Sequence, residues 1–461
     1  MQKLFYEVNS LDKRCYEEFD LTEDLLMEHA SYSMYDYIEK KFAKSETILI
    51  VCGTGNNGAD GIALARLLYS KYDVKLYIPF DVKSKMAKLQ KKRAELLGIK
   101  IQNDISSCDI IVDCLFGSGL NKDLNKESQE IINTLNSYEA YKISCDIPSG
   151  INSLGQVTTT AFEADITITM GALKVSLFTD IAKDYVGEVK VANLGIQREI
   201  YETSTDIFLL DESDMKLPFR NKKNSHKGSY GHLNVVAGCK KGAGVIAAKA
   251  AFGFGAGLVS VVCHEDIDLP YHIMQTHFIS SNCTAIAIGM GLGIYEVDEI
   301  KKILSKNIPM IIDADLLHEG VVLEALEKEV VLTPHPKEFC ALLKLCGMGE
   351  VDIETLQNNR FSFVEKFCKL YPNVVLLLKG ANVLIGQNEK IYVNNFGSSV
   401  LAKGGSGDVL SGLVAGLLAQ GYSALDAAIS ASLAHTKASN NYRKNNYSLI
   451  PSDLVEEVKK L

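Results

Sequence analysis

Short runs of β-branched residues, each followed by a longer amphipathic stretch, recur along two separate lengths of this chain, and that alternation leaves few folds open. The first series starts with Thr47, Ile48, Leu49, Ile50 and Val51 and passes into a helical pattern over residues 58–70. Strand patterns follow at residues 74–78, 109–113, 142–146 and 165–170, each ended by glycine, proline or a polar loop. Apolar runs joined by helices bury both faces and pair in parallel, so a doubly wound α/β sheet is expected. The second series occupies residues 232–237, 258–263, 284–288, 309–313 and 330–333. Hairpin-like strands at 374–379, 383–385 and 390–393 then precede two helices of small residues. Between residues 197 and 227 both periods dissolve, and the run Arg220, Asn221, Lys222, Lys223, Asn224, Ser225 reads as a solvated loop. A chain of 461 residues exceeds what one core fills, since cores stop growing at roughly 250 to 300 residues. Two domains are therefore expected, residues 1–205 and 206–461.

Composition narrows the function classes. Hydrophobic residues at 47% and charged residues at 23% exclude a disordered or fibrous chain. A net charge of -9 repels a polyphosphate backbone, so an anionic ligand must be held by local donors, and nucleic acid is excluded as a main partner. The eleven cysteines are scattered, with no Cys-x-x-Cys pair. Together with the lack of a secretory signal or a long apolar run, they indicate reduced thiols, a cytoplasmic setting and no membrane partner.

The first candidate site follows the strand ending at Cys52. Gly53, Thr54, Gly55, Asn56, Asn57 and Gly58 satisfy Gly-x-Gly-x-x-Gly between a strand and a helix, where a dinucleotide pyrophosphate can rest on backbone N–H groups. An oxidoreductase would also need an acid at the end of the next strand, where only Asp81 stands, beyond Pro79. Asn56, Asn57 and Asp60 instead place amides and a carboxylate in the loop, suited to sugar hydroxyls or to a cation. Two other strand ends carry Asp113 and Asp146. Each acid alone reads equally well as a turn or helix cap, but carboxyl ends of neighbouring parallel strands converge on one crevice.

These motifs, residues 53–60, Val112 and Asp113 with Gly117 to Leu120, and Asp146, Ile147, Pro148, Ser149 and Gly150, resemble those of the NAD(P)H-hydrate epimerase family. The resemblance spans most of the first domain and implies a Rossmann-like three-layer fold. It also implies that Asn56, Asn57, Gly58, Ala59 and Asp60, with Gly117, Ser118, Gly119, Leu120, Asn121, Lys122 and Asp123, contact a hydrated nicotinamide nucleotide. Asp146 would reach that substrate as an acid–base or orienting group, and Asn57, Asp113 and Ser149 would hold potassium. Oxygen-only donors suit a hard cation, and no His/Cys cluster has zinc spacing. Ala59 stands where the family usually has glycine and would add a methyl group near the ligand. Lys174 lies where the family tends to place a lysine, in a structural or orienting role. The chemistry is inversion at a hydroxyl-bearing carbon beside a ring nitrogen, assisted by proton donation and removal.

The second candidate site is the run Ala402, Lys403, Gly404, Gly405, Ser406, Gly407, Asp408 leading into a helix expected over residues 411–420. Flexible amides at a positive helix end make an anion hole, and Asp408 at its edge can take a proton from a hydroxyl or assist its departure. Residues 333–338, containing His335 and Glu338, and residues 379–383 precede it in an order similar to the ribokinase-like superfamily. Within that superfamily they resemble the ADP/ATP-dependent NAD(P)H-hydrate dehydratases, as do residues 227–231, 241–244, 289–293 and 313–315. The resemblance implies substrate contacts from Ala243, Gly291, His335 and Asp408. Nucleotide would be held by Lys379, Gly380, Ala381, Asn382 and Val383 with Gly404, Gly405, Ser406 and Gly407, and Glu338 would associate with magnesium through water. Lys403 and Ser406 replace the threonine frequent in relatives.

The implied function is repair: interconversion of R- and S-hydrates of NADH and NADPH, and dehydration of the S-hydrate with ADP as co-substrate, giving AMP and phosphate. The glycine loop does not exclude ATP. A homo-oligomer is expected. Two other readings are a kinase for a small, hydroxymethylpyrimidine-like alcohol and a non-catalytic interaction scaffold. Fusion to the first domain argues against the kinase, and retention of Asn57, Asp113 and Asp146 argues against the scaffold.

Overall fold

The computed structural model describes residues 1–461, and the chain divides into two compact units, Lys3–Thr205 and Asp206–Leu461, the latter with Met1–Gln2. The first unit carries a seven-stranded parallel sheet in the order Ile101–Gln102, Asp73–Tyr77, Thr47–Cys52, Ile110–Cys114, Tyr141–Cys145, Ile166–Met170, Glu188–Ala192. Thr47–Cys52 is the first strand of this sheet and pairs on both sides, so the winding reverses beside it. Ligands in such sheets lie outside the carboxyl ends at that reversal. The helix Asn56–Leu68 leaves from the end of Thr47–Cys52, and the loop after Ile110–Cys114 begins next to it. The two faces are covered by separate apolar clusters. Ile48, Ile50, Ile62, Leu64, Met34 and Ile38 form one; Leu49, Val51, Ile111, Ile131 and Leu135 form the other. Alternation along residues 47–51 thus sends successive side chains to opposite layers.

In the second unit the strands lie in the order Met274–Thr276, Leu258–Val262, His232–Val236, Ala285–Ile288, Met310–Ile312, Val330–Leu332, Val375–Leu378, Val383–Gln387, Lys390–Asn394, Ile207–Leu209. Pairing is parallel as far as Val375–Leu378, and the next two junctions are antiparallel, as the hairpin spacing indicates. Here the winding reverses at His232–Val236, which sits between Leu258–Val262 and Ala285–Ile288. Helices Lys241–Gly253 and Ser406–Ala419 pack closely on one another. Cβ atoms added at Gly412 and Gly416 would run into Ala247, Ala250 and Ala251. The small residues therefore permit backbone contact between the helices. Of the cysteines, Cys15, Cys52, Cys114, Cys145, Cys263 and Cys368 are buried and all eleven are free thiols. No helix is long and apolar enough to cross a membrane.

Candidate active sites

The winding reversal of the first unit opens into a cavity of about 870 Å³ lined by Asn56, Asn57, Asp60, the loop residues Gly117 to Asp123, and Asp146. Gly58 and Ala59 do not line it. Gly58 packs against the backbone of Gly53, and Ala59 is buried with Met27, Met86 and Ala87. The methyl group at position 59 therefore fills the helix-layer core instead of narrowing the ligand cavity, which corrects the expectation. What residues 56–58 offer is their N–H groups at the first turn of Asn56–Leu68, the first main-chain helical bond there being Ala59 to Gly55.

Asp146 follows Tyr141–Cys145 with φ at +69°, a left-handed conformation uncommon for aspartate and typical of constrained functional positions. The buried Lys174 ammonium donates to Asp146 Oδ1 at 2.6 Å and to Thr169 Oγ1 at 2.8 Å, and the Met170 N–H donates to the same carboxylate oxygen at 3.1 Å. Lys174 is thus the counter-ion of Asp146. Asp60, buried in the helix Asn56–Leu68, is pushed well above the usual carboxylate range, first by desolvation and then by the charges of Asp146 and Asp12.

Asn57, Asp113 and Ser149 come together beneath the same loop. Ser149 donates through Oγ to Asp113 Oδ1 at 2.6 Å and through its N–H to Oδ2 at 2.8 Å, and Asn57 Nδ2 donates to the Phe116 carbonyl at 2.9 Å. Asn57 Oδ1 is buried with no hydrogen-bond partner. An orphaned amide oxygen, a carbonyl, a hydroxyl and a carboxylate gathered in one place fit a hard cation. Desolvation raises Asp113 to about 6, despite the hydrogen bonds from Ser149 and Leu115.

In the second unit the expected residues converge on the carboxyl end of the sheet in two groups. At the winding reversal, the Lys240 N–H donates to the Gly291 carbonyl at 3.0 Å, and a Cβ built on Gly291 would lie 3.1 Å from the Ala243 Cβ, so Ala243 and Gly291 are neighbours. The other group surrounds Asp408 in the first turn of Ser406–Ala419. The helix begins five residues earlier than the expected 411, with Gly405 in the left-handed region at φ +86°. The exposed Gly404 and the half-buried Gly405 precede the buried Ser406, and Gly407 adjoins the Lys379 ammonium. Lys379 donates to Asp313 Oδ1 at 2.9 Å, and Ser411 Oγ donates to Asp313 Oδ2. Asp408 is raised to about 6, by desolvation first and by Asp313 next, with Lys379 opposing. Gly380 and Ala381 are exposed, whereas Asn382 and Val383 are buried. The buried Arg360 binds the carbonyls of Leu378, Lys379 and Asn382 at 3.0–3.2 Å and fixes this loop.

His335 and Glu338 are committed to each other more fully than the motif suggested. His335 caps Pro336–Leu345, its Nδ1 accepting from the Lys337 and Glu338 N–H groups at 3.1 and 3.2 Å. Glu338 Oε2 accepts from the His335 N–H at 2.7 Å, and Oε1 lies 3.2 Å from His335 Nε2. This reciprocal cap satisfies helix-end donors. Burial lowers the His335 imidazole and raises the Glu338 carboxyl.

Residues 233–460 match the family described as NAD(P)H-hydrate dehydratase, and residues 23–176 match the YjeF-related protein N-terminus. The bifunctional NAD(P)H-hydrate repair enzyme Nnr of Helicobacter pylori is 44% identical over an alignment covering 100% of both chains. The chain belongs to the bifunctional NAD(P)H-hydrate repair enzyme family. A second member, from Dictyoglomus turgidum, is 33% identical over 98% of this chain and 96% of its own. A solved ADP/ATP-dependent NAD(P)H-hydrate dehydratase from Bacillus subtilis, co-crystallised with ATP/Mg2+, is 24% identical, covers 56% of this chain and 98% of its own, and has a TM-score of 0.48.

Within this family member, sequence reasoning passed over Asp12, which lines the first cavity, and Asp313, Ser411 and Arg360 at the second site. Asp313 lies in the motif at residues 313–315, and its position after the strand Met310–Ile312 is the available signal. Arg360 and Asp12 lie on amphipathic stretches that nothing local distinguishes from surface helix.

Proposed function

We propose that the first unit interconverts the R- and S-hydrates of NADH and NADPH and that the second dehydrates the S-hydrate with ADP, releasing AMP and phosphate. The observation that carries this reading is Asp408. It is a carboxyl raised to about 6, set in the first turn of a glycine-led helix beside Lys379, so proton removal and phosphate binding share one locus. The amides of residues 404–407 and the Lys379 ammonium receive the terminal phosphate, and residues 379–383 hold the nucleotide. Asp408 takes the proton from the ring hydroxyl as its oxygen attacks the β-phosphorus and AMP departs. Phosphate then leaves with the C–O bonding pair while the neighbouring carbon loses a proton, restoring the ring double bond.

Asn57, Asp113 and Ser149 would hold potassium, and Glu338 would meet magnesium through water. When bound, these cations supply positive charge for the substrate's phosphates. Alignment with full-length bifunctional relatives supports the paired activities over a lone small-alcohol kinase. The deciding assay offers mixed-epimer NADH hydrate and ADP to the protein and follows recovery of reduced-nicotinamide absorbance. Full recovery is expected for the wild type, a fast phase of about half for an Asp146 variant, and none for Asp408→Ala. Normal recovery by Asp408→Ala would overturn the mechanism.

A further inference from the structure

Asp12 is a carboxyl group of the first cavity that belongs to none of its three motifs. Asp12 lies on the helix Asn9–Glu18, ahead of the residues 23–176 matched by the family, and lines the cavity together with Asp60 and Asp146. Its carboxylate accepts a 2.7 Å hydrogen bond from the phenol of Tyr201, a buried residue of the short helix Arg198–Tyr201. The Tyr201 ring is itself packed under Gly171, so the phenol is a rigid donor. Asp146 is already matched by Lys174 at 2.6 Å. With Asp123 on the loop, four carboxyl groups therefore line one cavity, and the ion pair accounts for one of them.

We propose that Asp12 is a second proton-transferring residue of the epimerase, working with Asp60, an assignment that rests on the epimerase reading of this domain. Inverting a hydroxyl-bearing ring carbon requires the hydroxyl to leave one face and return on the other. A single fixed acid reaches one face, whereas two groups that exchange roles serve both. Asp60 gives its proton to the hydroxyl, the C–O bond breaks with its electron pair on oxygen, and water departs as the ring nitrogen lone pair forms a C=N bond. Water then adds to the same carbon from the opposite face, the C=N pair returns to nitrogen, and the surplus proton passes to Asp12. The other epimer reacts with the two roles reversed, and exchange with water resets the pair. The Asp146 carboxylate stands beside the positive charge that develops on the ring.

The surroundings differentiate the two acids in the required sense. Asp60 is raised by burial, then by Asp146 and Asp12, and is opposed by Lys174. Burial also raises Asp12, but the Tyr201 hydrogen bond and Lys174 pull it back, against Asp146 and Glu23. Cys15 and Tyr16, on the same helix, face Asp12 as neutral groups raised by burial and by its charge. The proton thus rests first on Asp60.

The test uses the full chain with R-enriched NADH hydrate and follows R-to-S conversion without ADP. Asp12→Asn is expected to lose about 100-fold or more of this conversion while consuming purified S-hydrate with ADP at the wild-type rate, and a wild-type unfolding midpoint for the first unit verifies that it is folded. Tyr201→Phe removes a bond that favours the Asp12 carboxylate, so the acidic limb of the conversion profile should move to higher pH. Conversion by Asp12→Asn within threefold of wild type, or an unmoved limb in Tyr201→Phe, overturns the assignment. Wild-type protein that fails to interconvert the epimers overturns the epimerase reading as well.

Discussion

Asp146 and Asp408 each stand at the carboxyl end of a sheet, yet they face different charges. Asp146 meets a buried ammonium, whereas Asp408 meets Asp313 and Glu338, with Lys379 as the opposing cation. A base raised to about 6 is fully available above that pH and is lost below it. Dehydratase kcat/KM for S-hydrate should accordingly fall about tenfold for each pH unit below the limb. Replacing Lys379 by methionine removes the charge that lowers Asp408, so a pH–rate series on that variant should place the limb above 6. Asp146 and Asp408 were legible because glycine and proline mark their turns. The His335–Glu338 pair was legible as a position but not as a cap, since a histidine N-cap lacks the usual serine or aspartate signature. Asp12 was invisible, because its approach to the cavity depends on where an ordinary helix docks.

At the scale of elements, Lys241–Gly253 and Ser406–Ala419 carry the second site jointly, and their contact depends on glycine. A Cβ at Gly412 would overlap the Ala247 carbonyl oxygen and approach the Ala250 side chain to 2.8 Å. Gly412→Ala should cost about 1–3 kcal/mol, measurable by denaturant unfolding of the second unit, and should depress dehydration while leaving R-to-S conversion intact. The early start of the helix at Ser406 escaped the sequence for a related reason. Glycine has low helix propensity, so a Gly-Ser-Gly run reads as loop until packing against a neighbouring helix overrides it. The central strands were readable from their apolar runs. Glu188–Ala192, an edge strand with alternating exposure, and the three-residue Ile207–Leu209 and Met274–Thr276 were too short or too polar to stand out.

The whole molecule carries two winding reversals, one per unit, each with its own acids. If each unit completes its reaction on a diffusible hydrate, an Asp146 variant and Asp408→Ala mixed in equal amounts should together restore all reduced cofactor from a mixed-epimer pool. Absorbance recovery stalled at the S-hydrate fraction would contradict this independence. The sequence by itself determined the parallel α/β character, the division near residue 205 as an expectation, and the motif acids, because hydrophobic period and turn chemistry are local properties. Only the tertiary structure decided that Lys174 neutralises Asp146, that the Ala59 methyl turns into the core, and that Asp12 reaches the cavity held by Tyr201 from the opposite end of the first unit's sequence. Those facts depend on distances between residues far apart in the chain, which packing alone sets.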